Sequence, residues 1–359
     1  WQTPILLSSH NQDILYMGSE FLQRSMNQGE TWERISGDLT NGAKEGNVAF
    51  GTISTISESK FQFGLLYTGS DDGKIHVSKD GGVSWQLISG NLPQNLWVSR
   101  VVASSHKKER VYVTLNGYRN DNFESYAFVS EDFGATWTSI SNGLTQAVNV
   151  IVEDSANENI LYVGTDNGLF ISIDKGVNWQ DFSNGMPKVA VHDAVIQTKA
   201  KELIVGTHGR SIYKMDISKV QELTKDVLAK NLHLFKVNDR TKSERWGSQN
   251  YAWGKPSEPS QTIWFYSDVD GIVNVSITNE AGMLVHTQKV EAKKGLNSFA
   301  YDYLLSKEVA EKWNKKDKNI KIKEAENKKF YLPVGKYKMT VSKDKVTETK
   351  SFEVTAPKK

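Results

Sequence analysis

Two neighbouring carboxylates, Asp71 and Asp72, are the side chains in this sequence best suited to acid–base chemistry. Glycoside hydrolases use two carboxyl groups across the scissile bond, one as the acid and the other as base or nucleophile. The same pair precedes Gly73, and Asp-Asp-Gly between β-prone runs is also a hairpin signal, because glycine takes the positive φ of the turn. Asp166-Asn167-Gly168 repeats this arrangement. The repetition favours turn residues, and we predict no catalytic residue.

A long polar segment from Asn116 to Phe123 stands where the other repeats have a tight turn. Its Tyr118, Arg119 and Asp121 could recognise a carbohydrate or a peptide. An ion pair between Arg119 and Asp121 is the alternative interpretation.

Histidines supply a third set of candidates. His192 precedes Asp193, which could orient it as a general base or simply pair with it locally. His208 and Arg210 fill the next turn and could face a central channel. The candidate ligand-binding residues are therefore Tyr118, Arg119, Asp121, His192, Asp193, His208 and Arg210. Two histidines without a third ligand make a poor metal site, so we predict no metal and no cofactor.

The elements that must position these residues are set by a repeat of the form Ser-x-Asx-x-Gly-x-x-Trp. Its four copies contain Ser25, Asn27, Gly29 and Trp32; Ser78, Asp80, Gly82 and Trp85; Ser130, Asp132, Gly134 and Trp137; and Ser172, Asp174, Gly176 and Trp179. The tryptophans are 53, 52 and 42 residues apart. A period of this length built from strands and turns predicts propeller blades. In each copy the Asx side chain accepts hydrogen bonds in a turn, and the Trp packs between neighbouring units.

A fifth unit is degenerate. Residues 203–213 have the paired strands and the turn but no box after them. Terminal repeats are often atypical, so the array is expected to end near Ile217.

The repeat resembles the Asp-box, or bacterial neuraminidase repeat, of sialidases, xyloglucanases, photosystem assembly factors and sortilin-type receptors. Outside the repeat, the sequences of residues 16–19, 51–56 and 207–212 are similar to those of large secreted bacterial proteins with a sortilin-like propeller. Such proteins are often labelled glycosyl hydrolases. The resemblance covers residues 1 to about 217 and implies that the boxes are structural turns on the blade rim, away from the ligand face.

The resemblance bears on activity as well. No arginine of the array lies in the Phe/Tyr-Arg-Ile-Pro phrase of sialidases, so a sialidase is not expected. A xyloglucanase-like enzyme uses two aspartates in different parts of a double propeller, and one partner could lie upstream of this chain.

Composition narrows the function classes. The net charge of +2 over 359 residues is too balanced to indicate a nucleic-acid partner. The absence of cysteine excludes thiol chemistry and disulfides, and we read it as favouring a bacterial envelope protein that is secreted, periplasmic or associated with the outer membrane. Because the chain starts with Trp1 and shows no signal peptide, we expect it to be the C-terminal part of a larger propeller. A closed ring of five units is the alternative.

The C-terminal third has a different pattern. Residues 218–260 are predicted to form a linker with a short helix, and residues 261–359 alternate in short strands typical of an immunoglobulin- or fibronectin-like β-sandwich. A charged stretch at 305–329 is predicted to insert a helix and a loop. The fold class is therefore all-β, with propeller blades at 1–217.

These observations lead to two hypotheses on function. The first is a non-catalytic binding or scaffold protein that holds a protein, peptide or glycan, and it includes the role of a subunit in an envelope-associated complex. The second is a glycoside hydrolase whose active site is shared with upstream blades.

Overall fold

The computed structural model describes residues 3–42, 51–183, 185–249, 251, 253–318 and 320–357. The chain divides into two compact units, Trp1–Gln221 and Glu222–Lys359. Helix α1 (Ser218–Gln221) belongs to the first unit because Val220 is buried and the Gln221 side-chain amide donates to Asp154 Oδ2 at 3.1 Å. The first unit therefore extends slightly beyond residue 217, where the repeat was predicted to end.

Within the described residues, the first unit consists of five antiparallel sheets, each made of consecutive strands in chain order. We call these sheets blades 1 to 5. Blade 1 contains β1 (Ile5–Leu7), β2 (Leu15–Gly18), β3 (Leu22–Ser25) and β4 (Glu33–Arg34). Blade 2 contains β5 (Ile53–Glu58), β6 (Leu66–Ser70), β7 (Ile75–Ser78) and β8 (Gln86–Leu87). Blade 3 contains β9 (Trp97–Ala103), β10 (Val111–Gly117), β11 (Asn122–Ser130) and β12 (Thr138–Ser139). Blade 4 contains β13 (Val148–Glu153), β14 (Leu161–Thr165), β15 (Gly168–Ser172) and β16 (Gln180–Asp181). Blade 5 contains β17 (Val191–Gln197), β18 (Glu202–Thr207) and β19 (Ile212–Asp216). The prediction of an all-β chain that begins with propeller blades is confirmed.

The core of the first unit lies between neighbouring blades. Every residue of β6, β10 and β14 is buried, because each is the second strand of its sheet and is covered on both faces. One core cluster joins Tyr67 and Val77 of blade 2 to Val98 and Val113 of blade 3. Each of these strands begins with apolar residues and ends with small or polar ones, as in the Leu-Tyr-Thr-Gly-Ser sequence of β6.

The four boxes form the same turn. In the second copy, the Ser78 hydroxyl donates to Asp80 Oδ1 at 2.9 Å and accepts from the Gly82 N–H at 2.8 Å. The Ser84 hydroxyl and N–H both donate to the Asp80 carboxylate, at 2.6 and 2.9 Å. These hydrogen bonds, that of the Ser84 side chain above all, lower the pKa of Asp80 to about 2.

The box also joins each blade to the one before it. The indole N–H groups of Trp85, Trp137 and Trp179 donate to the carbonyl oxygens of Ile35, Ile88 and Ile140 at 3.0, 2.8 and 2.7 Å. A Cβ placed on Gly82 would lie 2.9 Å from the Ile35 oxygen.

Blade 1 lacks this contact within the described residues. There the Trp32 indole donates to Gly29 in its own box at 3.0 Å. A Cβ on Gly29 would meet only the Trp32 ring, at 3.7 Å. Tryptophan and glycine of the box therefore mark the places where two blades touch.

A buried carboxylate makes a second link between blades. Glu58 of blade 2 accepts hydrogen bonds from Ser8 at 2.7 Å and from the Tyr16 hydroxyl at 3.1 Å, both in blade 1. Glu153 of blade 4 accepts in the same way from the Tyr112 hydroxyl of blade 3, at 3.0 Å. Polar groups buried between blades are thus satisfied across the joint.

The second unit has two main sheets and two helices in its described residues. Its elements are α2 (Lys225–Leu228), β20 (Leu232–Leu234), β21 (Arg240–Thr241), β22 (Gln261–Ser267), β23 (Gly271–Asn279), β24 (Leu284–Ala292), β25 (Gly295–Tyr301), β26 (Leu304–Leu305), α3 (Lys307–Lys316), β27 (Phe330–Tyr331), β28 (Gly335–Lys343) and β29 (Val346–Thr355). The sheets have the orders β20-β22-β25 and β21-β29-β28-β23-β24, and β26 pairs with β27.

Residues of both main sheets share one buried core, to which Phe265 and Val275 contribute. The predicted linker at 218–260 requires correction, since β20 and β21 pair with β22 and β29 inside these sheets. The physical reason is that Leu232 and Leu234 are buried in the shared core. Helix α3 lies within the charged stretch predicted at 305–329, and the immunoglobulin- or fibronectin-like assignment stays a prediction. No helix in the described part of the chain is long and apolar enough to cross a membrane.

Candidate functional site

A cavity of about 750 Å³ opens in the first unit where blades 2 to 5 meet. The first strands of these blades contact one another, so they form the inner wall of the array. From these strands, or the residue before them, the cavity is lined by Thr52, Ile53, Ser54, Trp97, Asn149 and His192. From the hairpins formed by second and third strands it is lined by Asp71, Asn116, Tyr118, Arg119, Phe123, Asp166 and His208. Each of blades 2 to 5 therefore contributes its first strand and this hairpin to one site.

A β-bulge in each inner strand gives the site part of its polar lining. The strand register skips one residue at Ser54, Ser99, Asn149 and His192. A bulge re-aims the extra side chain, and three of these four residues line the cavity. The fourth, Ser99, instead donates to the Val148 carbonyl of the next blade at 3.0 Å.

Asp71 and Arg119 form an ion pair on the cavity wall. Arg119 Nη1 lies 3.3 Å from Asp71 Oδ2, and Asp71 is 4% exposed. The other oxygen, Oδ1, accepts from the N–H groups of Gly51 and Thr52, both at 3.0 Å. The alternative pairing of Arg119 with Asp121 is therefore wrong. Asp121 ends a short 3-10 turn (Tyr118–Asn120) at φ +53°, where the tight backbone turn directs its N–H back to the Tyr118 carbonyl.

Asp72, next to Asp71, is a buried turn residue. Its carboxylate accepts from the Ser70 hydroxyl at 2.5 Å and from the Asn41 N–H at 2.7 Å. It does not line the cavity. The two carboxylates of the Asp-Asp-Gly turn thus have different surroundings.

Aromatic rings form another part of the wall. The rings of Trp97 and Tyr118 meet edge to face with centroids 6.1 Å apart. The Arg119 guanidinium lies 5.6 Å from the Trp97 centroid and 5.7 Å from that of Tyr118, within cation–π distance. Phe123, on the same hairpin as Tyr118, is 58% exposed.

A chain of side-chain hydrogen bonds within the lining links blades 3 and 4. The Asn116 side-chain amide donates to Asn149 Oδ1 at 2.7 Å, and the Asn149 amide donates to Asp166 Oδ1 at 2.8 Å. Both asparagines are almost fully buried. The chain holds the Asp166 carboxylate at the cavity.

Two imidazoles lie side by side in blade 5. The ring centroids of His192 and His208 are 5.3 Å apart at an angle of 44°. Burial lowers the pKa of His192, the charge of His208 acts in the same direction, and Asp166 opposes both. No group of three metal-ligating side chains capable of holding an ion occurs among the described residues.

Asp193 does not orient His192. Its carboxylate contacts Arg100 Nη2 at 2.6 Å and the Ala194 N–H at 2.9 Å. Both interpretations of the His192–Asp193 pair therefore need correction. The physical reason is the competing contact, since the Asp193 carboxylate is already satisfied by Arg100 and by the Ala194 N–H.

Of the seven candidate binding residues, the structure brings four together in the cavity: Tyr118, Arg119, His192 and His208. The other three, Asp121, Asp193 and Arg210, do not line it. Their roles in binding stay predictions. Sequence reasoning missed Asp71, Trp97, Asn116, Phe123, Asn149 and Asp166 as cavity residues. Alignment of the repeats by their turns would have found Asp71 and Asp166, since both stand at the same turn position as His208.

Comparison with known proteins finds one family model and several solved structures that are similar to this chain. The family model for sortilin, neurotensin receptor 3, matches residues 20–147. No curated protein matches the sequence. An ancestral GH74 enzyme is 16% identical at a TM-score of 0.48 and aligns over 80% of this chain and 38% of its own.

Two other solved structures give similar values. The GH74 xyloglucanase from Xanthomonas campestris is 11% identical at a TM-score of 0.47 over 97% of this chain and 53% of its own. The Cps50 (Swd1) β-propeller domain of Myceliophteria thermophila is 11% identical at a TM-score of 0.47 over 81% of this chain and 88% of its own. The chain thus spans about two fifths to a half of the two GH74 enzymes. Residues 20–147 are thus similar to the sortilin family, and the first unit that contains them is an array of β-propeller blades.

Proposed function

We propose that this chain is a non-catalytic binding protein that holds a peptide or glycan group in the cavity between blades 2 and 5. The observation that carries the proposal is the cavity itself, whose volume of about 750 Å³ is typical of ligand sites. Its polar groups are preorganised, since Arg119 is bound to Asp71 and Asp166 is bound to Asn149 before any ligand arrives. Preorganised groups lose little conformational entropy on binding.

The surroundings of the carboxylates favour binding over hydrolysis. A glycosidase acid must keep its proton, which apolar surroundings promote. Asp71 instead accepts from two backbone N–H groups and pairs with the Arg119 guanidinium. Asp166 accepts from an amide. Both are arranged as hydrogen-bond acceptors.

The binding proposal is tested by substitution at the cavity. The full-length protein, purified from its source, would be analysed by mass spectrometry for molecules that accompany it. Wild type and the Arg119→Ala and Arg34→Ala variants would then be compared by calorimetry with the molecules identified. We expect binding to weaken at least tenfold in Arg119→Ala and to stay unchanged in Arg34→Ala, since Arg34 lies outside the cavity. Equal binding by all three proteins would refute a ligand site in this cavity.

A glycoside hydrolase is the second candidate, because Asp71 and Asp166 line the same cavity. Its test is release of reducing ends from a panel of polysaccharides by wild type, Asp71→Asn and Asp166→Asn. Hydrolysis that disappears in both variants would establish the enzyme and overturn the non-catalytic proposal. Hydrolysis that survives both changes would exclude this cavity as the active site.

We also propose that the protein works in the bacterial cell envelope, either secreted or bound at its surface, and that it can serve there as a subunit of a complex. The support is the similarity of residues 16–19, 51–56 and 207–212 to secreted bacterial propeller proteins. Fractionation of the source cells tests the location, and recovery in the cytoplasmic fraction would refute it. Stable co-purifying proteins would support the role in a complex.

A further inference from the structure

The charge of the cavity restricts the ligands it can take. Its lining contains two carboxylates, Asp71 and Asp166, and one guanidinium, Arg119. Apart from the histidines, these side chains therefore carry a formal charge of −1. Because Arg119 already pairs with Asp71, and no other arginine or lysine among the described residues lines the cavity, Asp166 would repel a carboxylate ligand without a second cation to offset it.

A cationic ligand is disfavoured for a different reason. Two of the three aromatic rings in the described lining, those of Trp97 and Tyr118, already have the Arg119 guanidinium within cation–π distance. A second cation placed there would be repelled by Arg119. An uncharged ligand avoids both conflicts.

The remaining lining suits a ligand rich in hydroxyl groups. Imidazoles and hydroxyls both donate and accept hydrogen bonds, and the lining presents His192, His208 and Thr52. Asp166 Oδ1 is held by Asn149, whereas Oδ2 has no hydrogen bond to any residue that the structure describes. Adjacent sugar hydroxyls could donate to this oxygen and accept from the imidazoles.

Exposed aromatic rings are a second feature of the lining that suits a sugar. Phe123 is 58% and Tyr118 46% exposed, and both line the cavity. The hairpin that carries them is fixed by Asn116, whose Oδ1 accepts from the Tyr118 N–H at 2.9 Å, and by Asn120, whose amide donates to the Asn95 carbonyl at 3.1 Å. A pyranose ring has an apolar face of C–H groups as well as polar edges, so it can bury that face on a ring while its hydroxyls reach the polar wall.

We propose that the ligand of this cavity is an uncharged pyranose residue of a glycan, packed against Phe123 and hydrogen-bonded to Asp166. This inference rests on the proposed binding function and narrows its ligand class. It excludes uronic acids, sialic acids and the free carboxyl terminus of a peptide.

The test uses the full chain and three sets of probes: neutral oligosaccharides, the same oligosaccharides with a C6 carboxylate, and a peptide library with free carboxyl termini. Calorimetry is carried out on wild type, Phe123→Ala, Asp166→Asn, Arg119→Ala and Phe61→Ala. Phe61 is the matched control, since it is 49% exposed and lies outside the cavity. Asp166→Asn can retain an oxygen for the hydrogen bond from Asn149, while it removes the charge and replaces the second acceptor oxygen by an amide donor.

We expect a neutral oligosaccharide to bind wild type and Phe61→Ala equally and Phe123→Ala about tenfold more weakly. The carboxylated analogue should bind wild type more weakly than the neutral one, and Asp166→Asn should narrow that difference. A carboxylated analogue that binds wild type as well as or better than the neutral sugar overturns the inference. If the protein binds a peptide and no sugar, and Arg119→Ala loses that binding, the inferred sugar ligand is refuted while the proposed binding function remains. Binding of no probe of any class overturns both.

Discussion

The contact between the box glycine and the preceding blade can be measured with two matched substitutions. Gly82 and Gly29 stand at the same box position, with φ values of +96° and +93°. Alanine at either site incurs the cost of a positive φ, about 1–2 kcal/mol. At Gly82 the added Cβ would also lie 2.9 Å from the Ile35 carbonyl oxygen, whereas at Gly29 it would meet only the Trp32 ring at 3.7 Å.

The difference between the two variants isolates the joint between blades. Overpacking against a fixed backbone atom costs about 1–3 kcal/mol. We therefore expect Gly82→Ala to destabilise the protein by about 1–3 kcal/mol more than Gly29→Ala.

Thermal unfolding followed by tryptophan fluorescence provides the assay. In a unit of about 200 residues, 1 kcal/mol lowers the Tm by about 2–4 °C. Gly82→Ala should therefore unfold at least about 2 °C below Gly29→Ala. Equal Tm values for the two variants would show that the glycine serves only the turn, and the view of the box as a contact between blades would be wrong.

Three further outcomes can be checked. Burial lowers the pKa of His76 to about 4. As the pH falls from 6.5 to 4, His76 therefore stays neutral in the folded state but gains a proton in the unfolded state. The free energy of unfolding should fall by up to about 3 kcal/mol over this range. Unfolding of His76→Leu should lack this loss, and parallel pH curves for variant and wild type would contradict the assignment. Tyr112→Phe should lower the free energy of unfolding by about 2 kcal/mol because its hydroxyl donates to buried Glu153, and a denaturation midpoint equal to that of wild type would count against this link. Asp193→Asn breaks only a partly exposed ion pair with Arg100, so the free energy of unfolding should fall by less than about 1 kcal/mol. Ligand binding measured by calorimetry should stay the same, and weakened binding would show that Asp193 belongs to the binding site.

Local features of the fold were predictable from the sequence. The box turn and the Asp71–Gly73 hairpin depend on residues four or fewer positions apart, and such patterns are read directly from residue types. The degenerate fifth blade followed from the missing box. These elements could be predicted without knowing which blades are in contact.

The cavity was only partly predictable because its contacts are distant in sequence. Arg119 pairs with Asp71, 48 residues away, in preference to Asp121 nearby. The bulge that brings Asn149 to the cavity has no residue signature, since the bulged positions hold serine, asparagine and histidine. Leu232 and Leu234 were assigned to a linker because two short strands are too brief to show a period.

The tryptophan hydrogen bonds between blades all lead from one blade to the blade before it in sequence. Trp85, Trp137 and Trp179 each donate to a carbonyl of the blade that precedes them in sequence. A chain synthesised or exported from its N-terminus has therefore already made the acceptor surface when the matching indole emerges. Each blade can dock as soon as it is complete, so folding can keep pace with synthesis or export and leave only one unfinished edge exposed at a time.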